Sequence, residues 1–82
     1  MPILRVALPT PLRRLFDYLP PPGWSAEALL QLQPGCRLTV PFGNRETTGY
    51  LVAVAQHSEL AAEQLKPARA VLDTSPLIER VL

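Results

Sequence analysis

Proline is the feature that most limits the folds open to this sequence. The chain has 10 prolines among 82 residues, and they are spread along its length. Proline fixes φ and lacks a backbone N–H, so it interrupts both helix interiors and central strands. The spacing therefore predicts short strands and turns. A chain of this length is expected to form one small domain with one core.

Alternating apolar and polar residues predict a mostly β fold. Extended segments are expected at 3–8, 15–19, 36–42, 47–56 and 68–73. The strongest pattern is a β-hairpin built on a Gly-Asn loop, with a turn at 43–46 (GNRE) between two alternating strands. Pro41 indicates an edge or a bulge, and Gly49 a bulge or a close backbone approach. We expect a small barrel-like domain of about five to six short strands with one or two short helices.

Serine marks three predicted helix starts. Ser25 is expected to cap a helix of about two turns over 25–32, and Ser58 a short helical segment within 57–66. Ser75, followed by proline at the first helical position, predicts a helix that begins near the end of the sequence. We therefore expect a domain over 1–74, with 75–82 starting a linker or a following domain.

Charge and the scarcity of reactive side chains exclude several functions. Eight basic residues oppose seven acidic ones, so no strong field attracts nucleic acid or membrane from a distance. With one cysteine and one histidine, neither a disulfide nor a metal site is expected, and catalysis by this segment is not predicted. Cys36 fits a small buried residue and His57 a solvated loop. A cytoplasmic protein with no signal peptide and no membrane anchor is expected.

The triplet Phe16-Asp17-Tyr18 allows two interpretations. In the first, both rings pack in the core from one face of a strand and Asp17 points to solvent or caps a turn. In the second, the rings shape a pocket and the carboxylate accepts a hydrogen bond from a ligand hydroxyl. Alternation alone is compatible with both.

Three blocks of sequence resemble a known family and favour the second interpretation. They are ALPTPLRRLFDYLPP, PGCRLTVPFGNRETTGYLVAV and SELAAEQLKPARAVLD. Their combination resembles the amino-terminal DNA-binding domain of the PriA family of primosomal replication-restart helicases (primosomal protein N′). The resemblance extends from about Leu4 to Asp73, with a longer spacer at 24–33 than the family pattern has.

This resemblance implies a pocket that captures the 3′-hydroxyl end of a nascent DNA strand at a stalled fork, without base specificity. The residues that match the family's pocket are Phe16, Asp17, Tyr18, Gly43 and Lys66. Full-length proteins of this family continue into a winged-helix domain, an ATP-dependent 3′-to-5′ helicase motor and a zinc module. ATP, magnesium and zinc are therefore implied for the longer protein, with primosome and single-strand-binding proteins as further partners. No cofactor is implied for this segment.

A carboxylate suits the task that the resemblance implies. A strand end differs from a strand interior by a hydroxyl in place of a phosphodiester, and Asp17 would accept a hydrogen bond from the first and repel the second. The alternative is a small-barrel protein-interaction module with no nucleic-acid role. In that case the triplet is core and the hairpin at 36–56 presents an edge to a partner.

Overall fold

The computed structural model describes residues 2–11 and 14–73, which form a five-stranded antiparallel sheet in the order β2-β1-β4-β3-β5. The strands are β1 (Ile3–Ala7), β2 (Phe16–Tyr18), β3 (Arg37–Phe42), β4 (Arg45–Ala55) and β5 (Ala70–Val71). The helices are α1 (Ala26–Leu30) and a single 3₁₀ turn (Ala62–Gln64). The predicted mostly β fold is confirmed, but the sheet is open and not closed into a barrel.

The predicted hairpin is present, and its loop is the Gly-Asn pair expected from the sequence. Phe42 pairs directly with Arg45, so the loop is Gly43-Asn44, and Arg45 and Glu46 of the predicted turn belong to β4. Gly43 has φ of 62°, and a glycine with positive φ at the first position of a two-residue loop is typical of a type II′ turn. The twist of such a turn matches that of the paired strands, so pairing continues up to the loop.

Pro41 lies where β3 is an edge, as predicted. On one side Pro41 pairs with Glu46 of β4, whereas on the other side β5 pairs only with Leu38 and Thr39. The short length of β5 therefore leaves the tip of the hairpin beyond the sheet. The absence of an N–H on proline interrupts no hydrogen-bonded ladder on that side.

Gly49 is a point of close approach between β4 and β1. A β-carbon at this position would lie 2.5 Å from Cγ1 of Val6, closer than carbon atoms pack. The β-bulge lies further along the strand, because the register between β1 and β4 shifts between Arg5 and Val6 and makes Val52 the extra residue.

One face of the sheet carries the core, to which α1 contributes Leu29. The side chain of Ser25 accepts a hydrogen bond from the backbone N–H of Ala28, which confirms the predicted cap, and Leu29 points inward from the helix. Cys36 is a free, fully buried thiol, as expected. The other buried side chains of the central cluster are Leu4, Val6, Tyr18, Leu32, Leu38, Val40, Leu51 and Ala68.

The segment that follows β4 returns along the free edge of β2. The backbone N–H of Leu19 donates to the carbonyl of Lys66 at 2.9 Å, and the N–H of Ala68 donates to the carbonyl of Leu19 at 2.8 Å. An isolated parallel bridge joins Leu19 to Pro67 at this point. Residues 57–66, predicted to be a short helical segment, contain only the 3₁₀ turn.

The predicted helix at 75–82 and the predicted domain boundary after residue 74 lie outside the described residues. Within 2–11 and 14–73, no helix is long and apolar enough to span a bilayer.

Candidate functional site

A cavity of about 870 Å³ lies between β2, the tip of the β3–β4 hairpin and the segment 58–66. All five residues predicted from the sequence line it: Phe16, Asp17, Tyr18, Gly43 and Lys66. The three strands and loops that supply them are far apart in the sequence. The open edge of β2 and the return of the chain beside Leu19 bring them together.

Asp17 is held by two neighbours on the cavity wall. Nε of Arg5 donates to Oδ1 at 3.0 Å, and Nη2 of the same guanidinium lies 3.4 Å from Oδ2. The hydroxyl of Ser58 donates to Oδ2 at 2.6 Å. The Asp17 side chain is only 14% exposed, so its position is well defined. It neither points freely to solvent nor stands unpaired in the cavity.

These contacts set the charge and the remaining bonding capacity of the carboxylate. Partial burial raises the pKa of Asp17, but the hydrogen bonds from Arg5 and Ser58 and the charge of Arg5 outweigh it and bring the pKa below its usual value. The group is therefore ionised at neutral pH. A carboxylate has about four acceptor positions, and the three contacts leave one on Oδ1 for a further donor.

Arg5 and Ser58 were not predicted as site residues. Arg5 lies opposite Asp17 in the β1–β2 ladder, so the pairing of opposite charges across two predicted strands was available as a signal. Ser58 was predicted only as a cap, and its hydroxyl oxygen does accept a hydrogen bond from the N–H of Leu60. Its contact with Asp17 spans 41 residues of sequence and has no local signal.

The aromatic surface of the cavity is formed by Phe16 and Phe42. Their rings meet edge to face with centroids 5.2 Å apart, and both side chains are half-buried. The guanidinium of Arg14 lies over the Phe16 ring at 4.7 Å from its centroid. Phe42 was missed by the sequence reasoning, which had assigned the second ring to Tyr18.

Tyr18 combines both interpretations of the triplet. It lines the cavity, yet its side chain is only 6% exposed and belongs to the central cluster. Its hydroxyl donates to the carbonyl of Pro41 at 2.8 Å, which ties the hairpin tip to β2. Burial raises the pKa of this hydroxyl, so it remains a donor at neutral pH. Tyr18 is therefore a wall between core and cavity, not an exposed stacking ring.

Gly43, in the hairpin loop, and Lys66, in the segment 58–66, both line the cavity. Gly43 is exposed, and a β-carbon there would meet no atom within 4 Å, so its positive φ rather than crowding explains the glycine. Lys66 is exposed and, within the described part of the chain, its ammonium forms no ion pair. That cation remains accessible to an anionic ligand.

The described residues contain no group of three or more histidine, cysteine, aspartate or glutamate side chains that could hold a metal ion. The groups that the cavity offers to a ligand include the paired carboxylate of Asp17, two phenyl rings and cations from three segments, Arg5, Arg14 and Lys66, and Glu59 adds a second carboxylate to the lining. Such a mixture suits a ligand that combines an aromatic base, a hydroxyl and phosphate.

Comparisons with known proteins agree with this chemistry. A model of the PriA 3′DNA-binding domain (3′BD) matches residues 5–82. The replication restart protein PriA of Haemophilus influenzae is 39% identical over 77 residues, which are 94% of this chain and 10% of that protein. The replication restart protein PriA of Bacillus subtilis is 32% identical over 69 residues, 84% of this chain and 8% of that protein. The chain thus spans about a tenth of the length of these relatives.

Proposed function

The chain belongs to the family of PriA 3′DNA-binding domains, and we propose that its cavity captures the terminal nucleotide of a DNA strand that ends in a 3′-hydroxyl. The observation that carries this proposal is the placement of Asp17. An ionised carboxylate with one acceptor position left lies in the same cavity as two rings and three cations. The family's DNA-binding description removes the support for a protein-interaction module with no nucleic-acid role.

The hydroxyl of the strand end donates to Oδ1 of Asp17. A hydrogen bond to a charged acceptor contributes on the order of 1.5–3 kcal/mol. A phosphate in the same position is ionised at neutral pH and offers no hydroxyl donor to Oδ1. The site therefore favours an end over an interior position of the strand.

The terminal base packs on Phe16 and Phe42. Stacking of a base on an aromatic side chain contributes about 1–3 kcal/mol and depends little on which base it is. Capture without base preference follows. Tyr18 contributes by holding the hairpin tip, which carries Phe42 and Gly43, rather than by stacking.

Lys66 and Arg14 contact the phosphates just upstream of the end. Their exposed positions allow them to follow a backbone that leaves the cavity. One hydroxyl contact, one base and one or two phosphates must also offset the entropy of association. The isolated domain is therefore a weak binder, in the micromolar range or above.

The longer protein to which such a segment belongs is a bacterial replication restart protein. In it, the domain presents the nascent 3′ end to an ATP-dependent 3′-to-5′ DNA helicase motor that uses ATP and magnesium, beside a zinc module. This longer protein acts at stalled or repaired forks together with primosome and single-strand-binding proteins. Its location is the cytoplasm, at the nucleoid. The relatives' shared name, their length and their bacterial origin support this proposal.

The test uses three oligonucleotides of one sequence, ending in a 3′-hydroxyl, in a 3′-phosphate, or in a hairpin that hides the end. Fluorescence anisotropy should show a preference of about tenfold or more for the 3′-hydroxyl. Asp17→Asn leaves Arg5 without its countercharge, so it should weaken binding of the hydroxyl end and strengthen binding of the phosphate end. Equal binding of all three ends by the native domain would refute the function.

Asp73→Asn is the matched control. Asp73 also accepts from an arginine, with Nε of Arg37 at 2.9 Å, and its side chain is 16% exposed. It does not line the cavity. Asp73→Asn removes the same charge and breaks a similar ion pair, but it should leave the ratio of affinities for the hydroxyl and phosphate ends unaltered.

A further inference from the structure

A carboxylate in a DNA-binding cavity creates a difficulty of its own. The terminal nucleotide brings a phosphodiester on its 5′ side, and an uncompensated negative charge repels that group over several ångströms. The acid that selects the hydroxyl would thus weaken every DNA ligand. The site therefore needs a cation beside Asp17 that compensates its negative charge and still leaves an oxygen free to accept a hydrogen bond.

Arg5 lies where such a compensating cation is needed. Its guanidinium binds both oxygens of Asp17, with Nε at 3.0 Å and Nη2 at 3.4 Å, and Nη2 also donates to the carbonyl of His57 at 3.1 Å. Three acceptor atoms on β2 and the 57–58 loop therefore fix one side chain from β1. Its side chain is 35% exposed, so its charge acts at the surface of the cavity that it lines.

The other cations that line the cavity, Arg14 and Lys66, do not pair with Asp17. The Arg14 guanidinium is placed over the Phe16 ring. Lys66 forms no ion pair with any residue in 2–11 or 14–73. Among the described residues, Arg5 is the cation in contact with the carboxylate.

We propose that Arg5 is a specificity-determining positioning residue, which cancels the charge of Asp17 and directs its remaining acceptor position to the strand end. The inference rests on the proposed function and adds a residue to it. With Arg5 present, selection of the hydroxyl depends on hydrogen bonding, and the neighbouring phosphodiester is tolerated. Without Arg5, selection depends on charge repulsion.

Loss of Arg5 and loss of Asp17 therefore change end discrimination in opposite directions. Asp17→Asn leaves a positive charge and narrows the ratio of hydroxyl to phosphate affinity. Arg5→Gln leaves a negative charge, so it weakens both ligands but the 3′-phosphate more. The ratio should widen by about threefold or more, since the phosphate end carries the additional charge. A role limited to stabilising the fold would lower both affinities by the same factor.

The experiment measures both affinities by anisotropy for native protein, Arg5→Gln and Arg5→Lys, with folding checked by urea unfolding. Arg5→Lys keeps the charge and should return the ratio to the native value. Arg37→Gln is the control, because Arg37 also pairs with an aspartate, Asp73 just beyond β5, but lies outside the cavity. It should leave the ratio unchanged.

A double variant keeps the test decisive if Arg5→Gln does not fold. Arg5→Gln combined with Asp17→Asn removes both charges together, which leaves no unpaired ion behind. Compared with Asp17→Asn alone, it should again widen the ratio by about threefold. A ratio that stays constant or narrows on loss of Arg5, in either background, overturns the inference. Equal affinity of the native domain for both ends instead refutes the proposed function, and that result is read before any Arg5 variant.

Discussion

Substitutions of Tyr18 test whether its ring is a buried wall between the core and the cavity, held by the hydrogen bond of its hydroxyl. Tyr18→Phe keeps the buried ring and removes the bond to the carbonyl of Pro41, measured at 2.8 Å. The loss leaves a partly buried carbonyl without its donor, so the free energy of unfolding should fall by about 1–2 kcal/mol. Tyr18→Ala also deletes a ring that is only 6% exposed, and should cost about 3–5 kcal/mol.

Urea unfolding measures these losses as shifts of the midpoint at constant m value. Tyr50→Phe is the control, because that ring is 48% exposed, and its free energy of unfolding should change by less than about 0.5 kcal/mol. Anisotropy is then measured where Tyr18→Phe is still folded. Since the ring is only 6% exposed and has little surface to offer a base, affinity should fall by less than about threefold, from looser positioning of the hairpin tip.

Two results would refute this reasoning. Native stability of Tyr18→Phe with a tenfold loss of affinity would place the hydroxyl in contact with DNA and not with Pro41. A loss of stability in Tyr18→Ala well below the range for a buried aromatic would place the ring on the exposed rim of the cavity. That outcome would restore the interpretation, drawn from the sequence, in which the rings at 16 and 18 together shape the pocket.

Two further predictions concern charge. Lys66→Ala should weaken oligonucleotide binding by up to about tenfold and reduce the slope of log affinity against log salt by about one phosphate equivalent, and an unchanged slope would remove Lys66 from the site. The lowered pKa of Asp17 means that its contribution to stability is present above the ordinary aspartate pKa of about 4 and is lost as pH falls through the lower folded value. Native protein should therefore lose more free energy of unfolding between pH 6 and pH 3 than Asp17→Asn does, and parallel pH curves would contradict this.

Elements whose stability is decided by near neighbours could be predicted from the sequence. The cap at Ser25, the hairpin around Gly43 and the close approach at Gly49 each depend on a few adjacent residues or on one φ angle. The predictions for these elements are confirmed, including the Gly-Asn loop. Only the end of the turn differs, because Arg45 and Glu46 pair with Phe42 and Pro41 and so belong to β4.

Features decided by distant contacts were predicted less well. Closure into a barrel requires both edges of the sheet to pair, and β5 is only two residues long, so the sheet stays open. Alternation placed Phe16 and Tyr18 on one strand face but could not give the depth of each ring. Tyr18 lies opposite Leu4 inside the core, whereas Phe16 lies nearer the opening, against Phe42.

The pairing of Arg5 with Asp17 is the most instructive omission, because it depended on a single unknown. Both strands alternate, with Leu4 and Val6 inward on β1 and the two rings inward on β2. If β1 and β2 pair antiparallel with their apolar residues on one face, the residues between them must meet on the other face, and those are Arg5 and Asp17. The patterns thus contained the ion pair, and only the adjacency of the two strands was missing. Without it, Asp17 counts as a free negative charge, whereas in the fold it is a compensated acceptor, and that difference is what the Arg5 variants measure.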